Sequence, residues 1–191
     1  MAAYSSNQKT EYAQAPLSIQ MVEQVLRWDG FPSVDSAPII ANNILDLIRA
    51  GATNRDFRKW CEWPDSHPCA AQLSRNWAEL LFCSVSLATY SDHQRAKFPV
   101  DIEVFPYWEY FSMTSYCKKH ASLDGYIARP EDPVWKDIYP PNGWMCGCSV
   151  LPIMALDVPR RKRIGRTIPN ALRLQCANWL HIRPDHILEM L

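Results

Sequence analysis

Two cysteines separated by a single residue are the part of this sequence best suited to chemistry. Cys146 and Cys148 lie in a run that predicts a strand, so we expect both thiols on one face of it. Their backbone positions would then be about 6–7 Å apart, which suits two thiolates on one metal better than a disulfide within an extended strand. His120 is a candidate third ligand, and Cys117 or Asp124 is a candidate fourth. Such a set is typical of structural zinc sites.

The same residues allow two other interpretations. Cysteine is among the most frequently buried residue types, so the two thiols and His120 can instead be packed core side chains. Cys146 or Cys148 with His120 and Asp124 also has the residue types of a thiol nucleophile, a base and an orienting group. The spacing gives that triad no support and the sequence has no Gly-rich phosphate loop, so we do not predict an enzyme. Asp124 is also expected to shape a turn with Gly125.

Length and composition indicate a folded protein with a sizeable core. The chain has 191 residues, of which 48% are apolar and 21% charged, and its formal net charge is zero. A zero net charge gives no global basic field for binding nucleic acid. Seven cysteines without a recognisable signal peptide favour reduced thiols or a metal over disulfides. The apolar runs are far shorter than the roughly 18 residues of a membrane span.

The first half of the chain predicts helices. Residues 1–16 are polar and are expected to form a mobile arm. Apolar side chains then recur at helical spacing in four segments, which are residues 17–28, 37–50, 54–60 and 69–91. Thr53 is a suitable N-cap for the third of these helices.

The second half predicts strands around a long loop. Strands are expected over residues 100–113, on either side of an Asp-Gly turn within 116–128, and over 145–153. Residues 129–144 contain four prolines and should form an ordered loop held by Trp135, Tyr139 and Trp144. The predicted fold class is α+β: N-terminal helices packed on a small antiparallel sheet, with this Pro/Trp-rich loop and a C-terminal helical tail.

The stretch from residue 105 to residue 150 combines several uncommon motifs in one order. They are Pro106-Tyr107-Trp108, His120 with Leu123-Asp124-Gly125, Asp132-Pro133 with Trp135, Tyr139-Pro140-Pro141-Asn142-Gly143-Trp144, and Cys146 with Cys148. This series resembles the signature of the phage Mu F-like head morphogenesis family, the minor head proteins of tailed bacteriophages. Gly147 stands between the cysteines where that family usually carries Arg.

The resemblance implies a structural, non-enzymatic protein of a phage head that acts in capsid assembly. The implied partners are the portal protein, the major capsid protein or both, and packaged DNA, with no small-molecule substrate and no membrane. The implied location is the virion, and the host cytoplasm during assembly. The Mu F-like domain would span residues 17–159. The competing functions are a small zinc-stabilised adaptor module that binds proteins outside any virion, and the thiol enzyme.

Residues 160–191 form a tail of different character. A helix is expected over residues 170–180, with Trp179 in its apolar stripe. The positive charges just before it are Arg160, Arg161, Lys162, Arg163 and Arg166. Such a run is often only a solvated surface. Alternatively the tail docks on a partner, with Trp179 in a groove and the basic side chains against acidic groups or packaged DNA.

Overall fold

The computed structural model describes residues 16–63, 67–97, 102–113, 120–160 and 167–190, apart from the side chains of Cys69 and Arg160. Within these ranges the fold is α+β, as predicted. Helices come first, a small sheet follows, and short helices close the chain. The elements are α1 (Leu17–Trp28), α2 (Ala37–Arg49), α3 (Asn54–Cys61), α4 (Pro68–Gln72), α5 (Arg75–Lys97), β1 (Tyr107–Phe111), β2 (Ile127–Ala128), α6 (Trp135–Ile138), β3 (Ser149–Ile153), α7 (Asn170–Ala177) and α8 (Asp185–Leu188).

Helices α1, α2, α3 and α5 pack together around the larger of two apolar cores. Each contributes one stripe at helical spacing, and in α1 that stripe is fully buried. At the start of α3, the Asp56 carboxylate accepts hydrogen bonds from the Thr53 amide and hydroxyl, at 2.9 and 2.8 Å. Phe57 of α3 then stacks on Phe82 of α5, with ring centroids 5.8 Å apart. The local sequence signals therefore produce the predicted helical layer.

The single long helix predicted over residues 69–91 is wrong in its bounds. The chain breaks at residues 73–74, between α4 and α5, and α5 continues to Lys97. Ser74 explains the break, because its Oγ accepts the Trp77 amide at 3.4 Å and its carbonyl accepts the Ala78 amide at 2.9 Å. A serine that bonds the backbone in this way starts a new helix rather than continuing an old one.

The sheet is antiparallel with strand order β2–β1–β3. Trp108 of β1 faces Ala128 on one side and Pro152 on the other. The predicted strands are too long, since residues 102–104 form a turn and β3 begins only at residue 149. The predicted strand residues 100–101 and 116–119 lie outside the described residues. Trp108, Tyr110 and Val150 point into the second core, which also contains Trp135 of α6.

Segment 138–148 connects the two cores. The Ser91 hydroxyl of α5 donates to the Pro140 carbonyl at 2.6 Å, and the Met145 amide donates to the Ser84 hydroxyl at 2.9 Å. Trp144 inserts its indole into the helical core, where it meets the ring of Trp28 with centroids 5.5 Å apart. The helical layer is thus held to the sheet layer largely through this predicted Pro/Trp-rich loop, which also contains the short helix α6.

Residues 167–190 pack against both cores. The Arg173 guanidinium of α7 pairs with Asp137 of α6, and Cys176 is buried in the second core. Trp179 lies in the helical core, and α8 contacts α5. None of the described helices is both long enough and apolar enough to cross a bilayer.

Candidate metal centre

Three potential metal ligands meet in the interior of the second core. The Nδ1 atom of His120 lies 3.8 Å from Sγ of Cys146 and 3.8 Å from Sγ of Cys148. The three ligand atoms are all within 4.8 Å of one another. Each side chain is nearly inaccessible, with relative exposures of 2%, 4% and 5%. The structure therefore brings together three of the five residues predicted as metal ligands.

His120 is positioned by the turn that leads into β2. The Leu123 amide donates to the His120 carbonyl at 2.9 Å, and the Leu123 side chain is buried. Gly125 has a φ of 72° and donates its amide to the Tyr110 carbonyl at 2.7 Å. Asp124 Oδ1 accepts the Ser112 amide at 2.9 Å. These bonds attach the turn to the end of β1.

The two cysteines lie in the loop before β3, not on a strand as the alternation predicted. Met145 takes a φ of 53°, which is uncommon for a residue other than glycine, and so an extended strand cannot begin there. The Cys146 amide donates to the Gly143 carbonyl at 3.2 Å, which closes a turn. This irregular path, rather than the pleat of a strand, points both sulfurs toward His120. Although the predicted strand was wrong at these residues, the prediction that both thiols lie on a common side was right.

Hydroxyl groups surround the sulfur of Cys148. Ser112 Oγ lies 3.9 Å from it, and the Tyr110 hydroxyl is a hydrogen-bond neighbour of the same sulfur. That hydroxyl also accepts a bond from Asn142 Nδ2 at 3.0 Å. Burial, and then the neighbouring Cys146 and Cys148, raise the pKa of Tyr110 far above its ordinary value. The phenol is therefore protonated and keeps a proton to donate.

Asp124 and Cys117 complete the predicted ligand set, and of these Asp124 is not part of the cluster. The Asp124 carboxylate accepts a backbone amide at the turn, which is the shaping role that its position before Gly125 favours. Cys117 lies outside the described residues.

Other signature residues have packing and turn roles, some of them in the second core with the cluster. Trp108 and Trp135 meet edge to face with centroids 5.7 Å apart. The peptide bond between Pro140 and Pro141 is cis. A side chain at position 147 would have its Cβ 3.1 Å from Met113 Sδ, so glycine fits this site more easily than the arginine usual in the family.

Sequence reasoning missed Tyr110, Ser112 and Asn142 as neighbours of the cluster. Asn142 entered the sequence analysis only as part of the signature, yet its side-chain amide donates to the Ile138 carbonyl at 2.6 Å. The alternation of β1 was a usable signal for Tyr110, because it puts this residue on the same face as buried Trp108.

Trp179, predicted as a partner contact, is buried against Trp144 with ring centroids 5.5 Å apart. This indole is consequently a packing residue of the domain itself. Of the basic run, the backbone of Arg160 ends a short 3₁₀ turn. The remaining members lie outside the described residues: Arg161, Lys162, Arg163 and Arg166.

Two curated relatives match parts of this sequence. A 52-residue segment is 38% identical to the Mu-like prophage FluMu F protein of Haemophilus influenzae, and covers 26% of this chain and 13% of that protein. A 65-residue segment is 35% identical to the putative capsid assembly protein F of Escherichia phage Mu, and covers 33% of this chain and 14% of that protein. The matched part is therefore a small fraction of either relative's length. No family model and no solved structure matches the chain. The two matches confirm the predicted resemblance to the Mu F-like family.

Proposed function

We propose that this protein is a structural component in the assembly of a phage capsid, acting as a minor head protein. The observation that carries the proposal is the 35% identity over 65 residues to a protein named as a putative capsid assembly protein of phage Mu. A 52-residue segment of the chain is also 38% identical to the F protein of a Mu-like prophage. The protein would be located in the virion, and in the host cytoplasm during assembly.

The burial of the chemistry-bearing side chains favours a structural role over an enzymatic one. His120, Cys146 and Cys148 are each at least nine-tenths buried, so a substrate has no route to the sulfurs in this conformation. A catalytic thiol needs to be reachable and is usually partly exposed. Neither relative's name carries an enzymatic activity. We therefore infer that these residues stabilise the fold.

The outer face of the sheet is the surface that we assign to a head-protein partner. Phe111 of β1 and Leu151 of β3 lie on this face, opposite the core, and are 48% and 44% exposed. Phe105, Pro152 and Met154 line the same groove, which is also lined by the acidic residues Glu109, Asp124 and Asp157. An exposed apolar surface flanked by polar residues is typical of a protein-binding site. The partner would be the portal protein, the major capsid protein or both.

Co-expression with portal and major capsid protein, followed by affinity purification, tests the partner. The double variant Phe111→Ser/Leu151→Ser should fold but lose most of the co-purifying head protein. Ile39→Ser provides a matched control, because Ile39 is a comparably exposed apolar residue on α2, away from the sheet. Equal loss of binding in both variants would contradict the assigned surface.

Mass spectrometry of gradient-purified virions and procapsids tests the function itself. We expect peptides of this protein in at least one of the two particles. Absence from both would refute the head-protein role and leave the adaptor module outside any virion as the better explanation.

Contact with packaged DNA remains a separate proposal for the basic run. Such contacts are electrostatic, so binding of the purified protein to DNA should weaken steeply as salt rises. A variant in which glutamine replaces all five basic residues should fold but should no longer bind DNA; the residues replaced are Arg160, Arg161, Lys162, Arg163 and Arg166. Binding that survives the five substitutions would exclude the run as the DNA contact.

A further inference from the structure

We propose that His120, Cys146 and Cys148 bind one structural zinc ion, which ties the turn before β2 to the loop before β3. The inference does not depend on the role in capsid assembly, because it is based only on the chemistry and placement of these three side chains. Soft thiolate and imidazole donors select zinc over magnesium or calcium.

The distances match the edges of a tetrahedral zinc site. With Zn–S near 2.3 Å and Zn–N near 2.0–2.1 Å, tetrahedral angles place N and S about 3.6 Å apart and two S atoms about 3.8 Å apart. Nδ1 of His120 lies 3.8 Å from each sulfur, and all three atoms are within 4.8 Å. A contraction of a few tenths of an ångström to about 1 Å completes three of the four tetrahedral positions.

Ordinary hydrogen bonding explains this arrangement less well than a metal does. The imidazole Nδ1 has either one lone pair or one proton, so it can make one well-directed bond but faces two sulfurs at equal distance. Thiols are also weak donors and acceptors. A metal ion, by contrast, uses a lone pair from each of the three atoms at once.

The charges favour a metal in this buried position. Two thiolates and a neutral imidazole bring a charge of minus two, which a divalent ion cancels. A neutral complex avoids the high cost of burying isolated charges. As a thiol, Cys148 donates to the Ser112 hydroxyl at 3.9 Å. As a metal-bound thiolate, its sulfur would instead accept from the hydroxyls of Ser112 and Tyr110, as metal ligands commonly do from surrounding groups.

The ion would join segments that the sequence separates by more than 20 residues. His120 lies before β2, whereas the two cysteines follow Met145, whose amide is bonded to Ser84 of the helical layer. A zinc ion here fixes the loop that carries Trp144 into the helical core. We therefore expect loss of the ion to loosen the attachment of the helices to the sheet.

The test begins with the unmodified full-length chain. Elemental analysis of protein purified without added metal should find one zinc per chain. After removal of the metal with a chelator, Co²⁺ should bind stoichiometrically and give the thiolate-to-metal charge-transfer absorption of a tetrahedral site. X-ray absorption of the zinc form should show two sulfur ligands. Little or no zinc, no cobalt charge-transfer band, or fewer than two sulfurs would overturn the proposal.

Matched substitutions then locate the site. Cys148→Ser should weaken zinc binding more than about 100-fold, since loss of even an outer partner costs about 10- to 100-fold. Cys176→Ser is the control, because Cys176 is equally buried in the same core but is not part of the cluster. It should retain one zinc although it loses stability.

Tyr110→Phe tests the hydroxyl next to the sulfur. This variant keeps the aromatic ring but loses the hydroxyl. It should still bind zinc, with an affinity reduced about 10- to 100-fold. If Cys148→Ser fails to fold, this variant and the cobalt spectrum of the unmodified chain still decide the matter. Equal zinc loss in Cys148→Ser and Cys176→Ser would contradict the assignment, because it would show a general effect of losing a buried thiol.

Discussion

Replacing Trp144 with phenylalanine should cost less stability than the same change at Trp135, although both indoles are buried. The two substitutions remove the same atoms and leave an aromatic ring for the edge-to-face neighbours. Their transfer and cavity terms should therefore largely cancel in the comparison. What remains is the difference between the two indole N–H groups.

The N–H of Trp135 has a good partner, and the N–H of Trp144 does not. Trp135 Nε1 donates to the Arg129 carbonyl at 2.8 Å, and losing such a bond costs about 0.5–1.5 kcal/mol. Trp144 Nε1 is buried and has no hydrogen-bond partner among the described residues. A buried unsatisfied donor costs about 1–3 kcal/mol, so its removal offsets part of the loss of packing. The two effects add to a difference of about 1.5–4.5 kcal/mol in favour of Trp144→Phe.

Urea denaturation followed by far-ultraviolet circular dichroism measures both free energies of unfolding. The comparison is valid if the two variants keep the same dependence on urea, which indicates an unchanged unfolding transition. A loss at Trp144 equal to or larger than the loss at Trp135 would refute the reasoning. It would show that Trp144 Nε1–H has a partner that stabilises the fold.

Three further perturbations follow from packing and charge. Trp179→Ala should lower the free energy of unfolding by about 3–5 kcal/mol because it empties a site against Trp144, and calorimetry showing a loss below about 1 kcal/mol would contradict this. Arg173→Ala should cost only about 1 kcal/mol, since its ion pair with Asp137 is about one-third exposed, and the cost should shrink in high salt when urea midpoints are compared. Burial, opposed by the charge of Arg95, raises the pKa of Tyr139 from 10.0 to about 12. The unfolded chain therefore loses this proton first, so stability should fall as pH rises from 10 to 12, and Tyr139→Phe should remove that component of the pH dependence.

Local sequence signals were sufficient for the first three helices. The bounds predicted for α1 are those observed, and α2 ends one residue early. Apolar side chains in these helices are spaced so that they form one buried face. This spacing is a local pattern that one or two helical turns of sequence are enough to show. The break at Ser74 was not predicted. A serine within a helical pattern starts a new helix only when its side chain accepts a backbone amide of the next turn, as Ser74 does from Trp77, and the sequence does not show that bond.

The residue types of the His120–Cys146–Cys148 cluster could be predicted but not its geometry. Cysteine and histidine identities suggested the ligands, and a strand was the simplest path that puts Cys146 and Cys148 together. The positive φ of Met145 has no local signal in the sequence, and the amide of this residue is bonded to Ser84, 61 positions earlier. Long-range contacts of this kind decide where a loop turns, and a single sequence does not show them.

The apolar stripe of the tail indicated that one face of α7 and of the following turn is buried. It did not indicate which surface buries that face. Trp179 was therefore predicted to dock in a groove of a partner. In the structure, it meets Trp144, which lies 35 positions earlier in the chain. Amphipathicity identifies the buried face of a helix but contains no information about the surface that buries it.

The helical core is completed by residues far along the chain from those that begin it. Asn76 Nδ2 donates to the Leu188 carbonyl across 112 positions, and His181 Nδ1 lies 3.4 Å from Gln24 Oε1 of α1. A ribosome adding about 5–20 residues per second needs about 6–20 s to make the chain between Asn76 and Leu188. For that time, the indole surfaces of the nascent helices lack their final cover. A chaperone bound to the emerging chain should therefore release it only after α8 has left the exit tunnel, and translation stopped earlier should yield a product prone to aggregation.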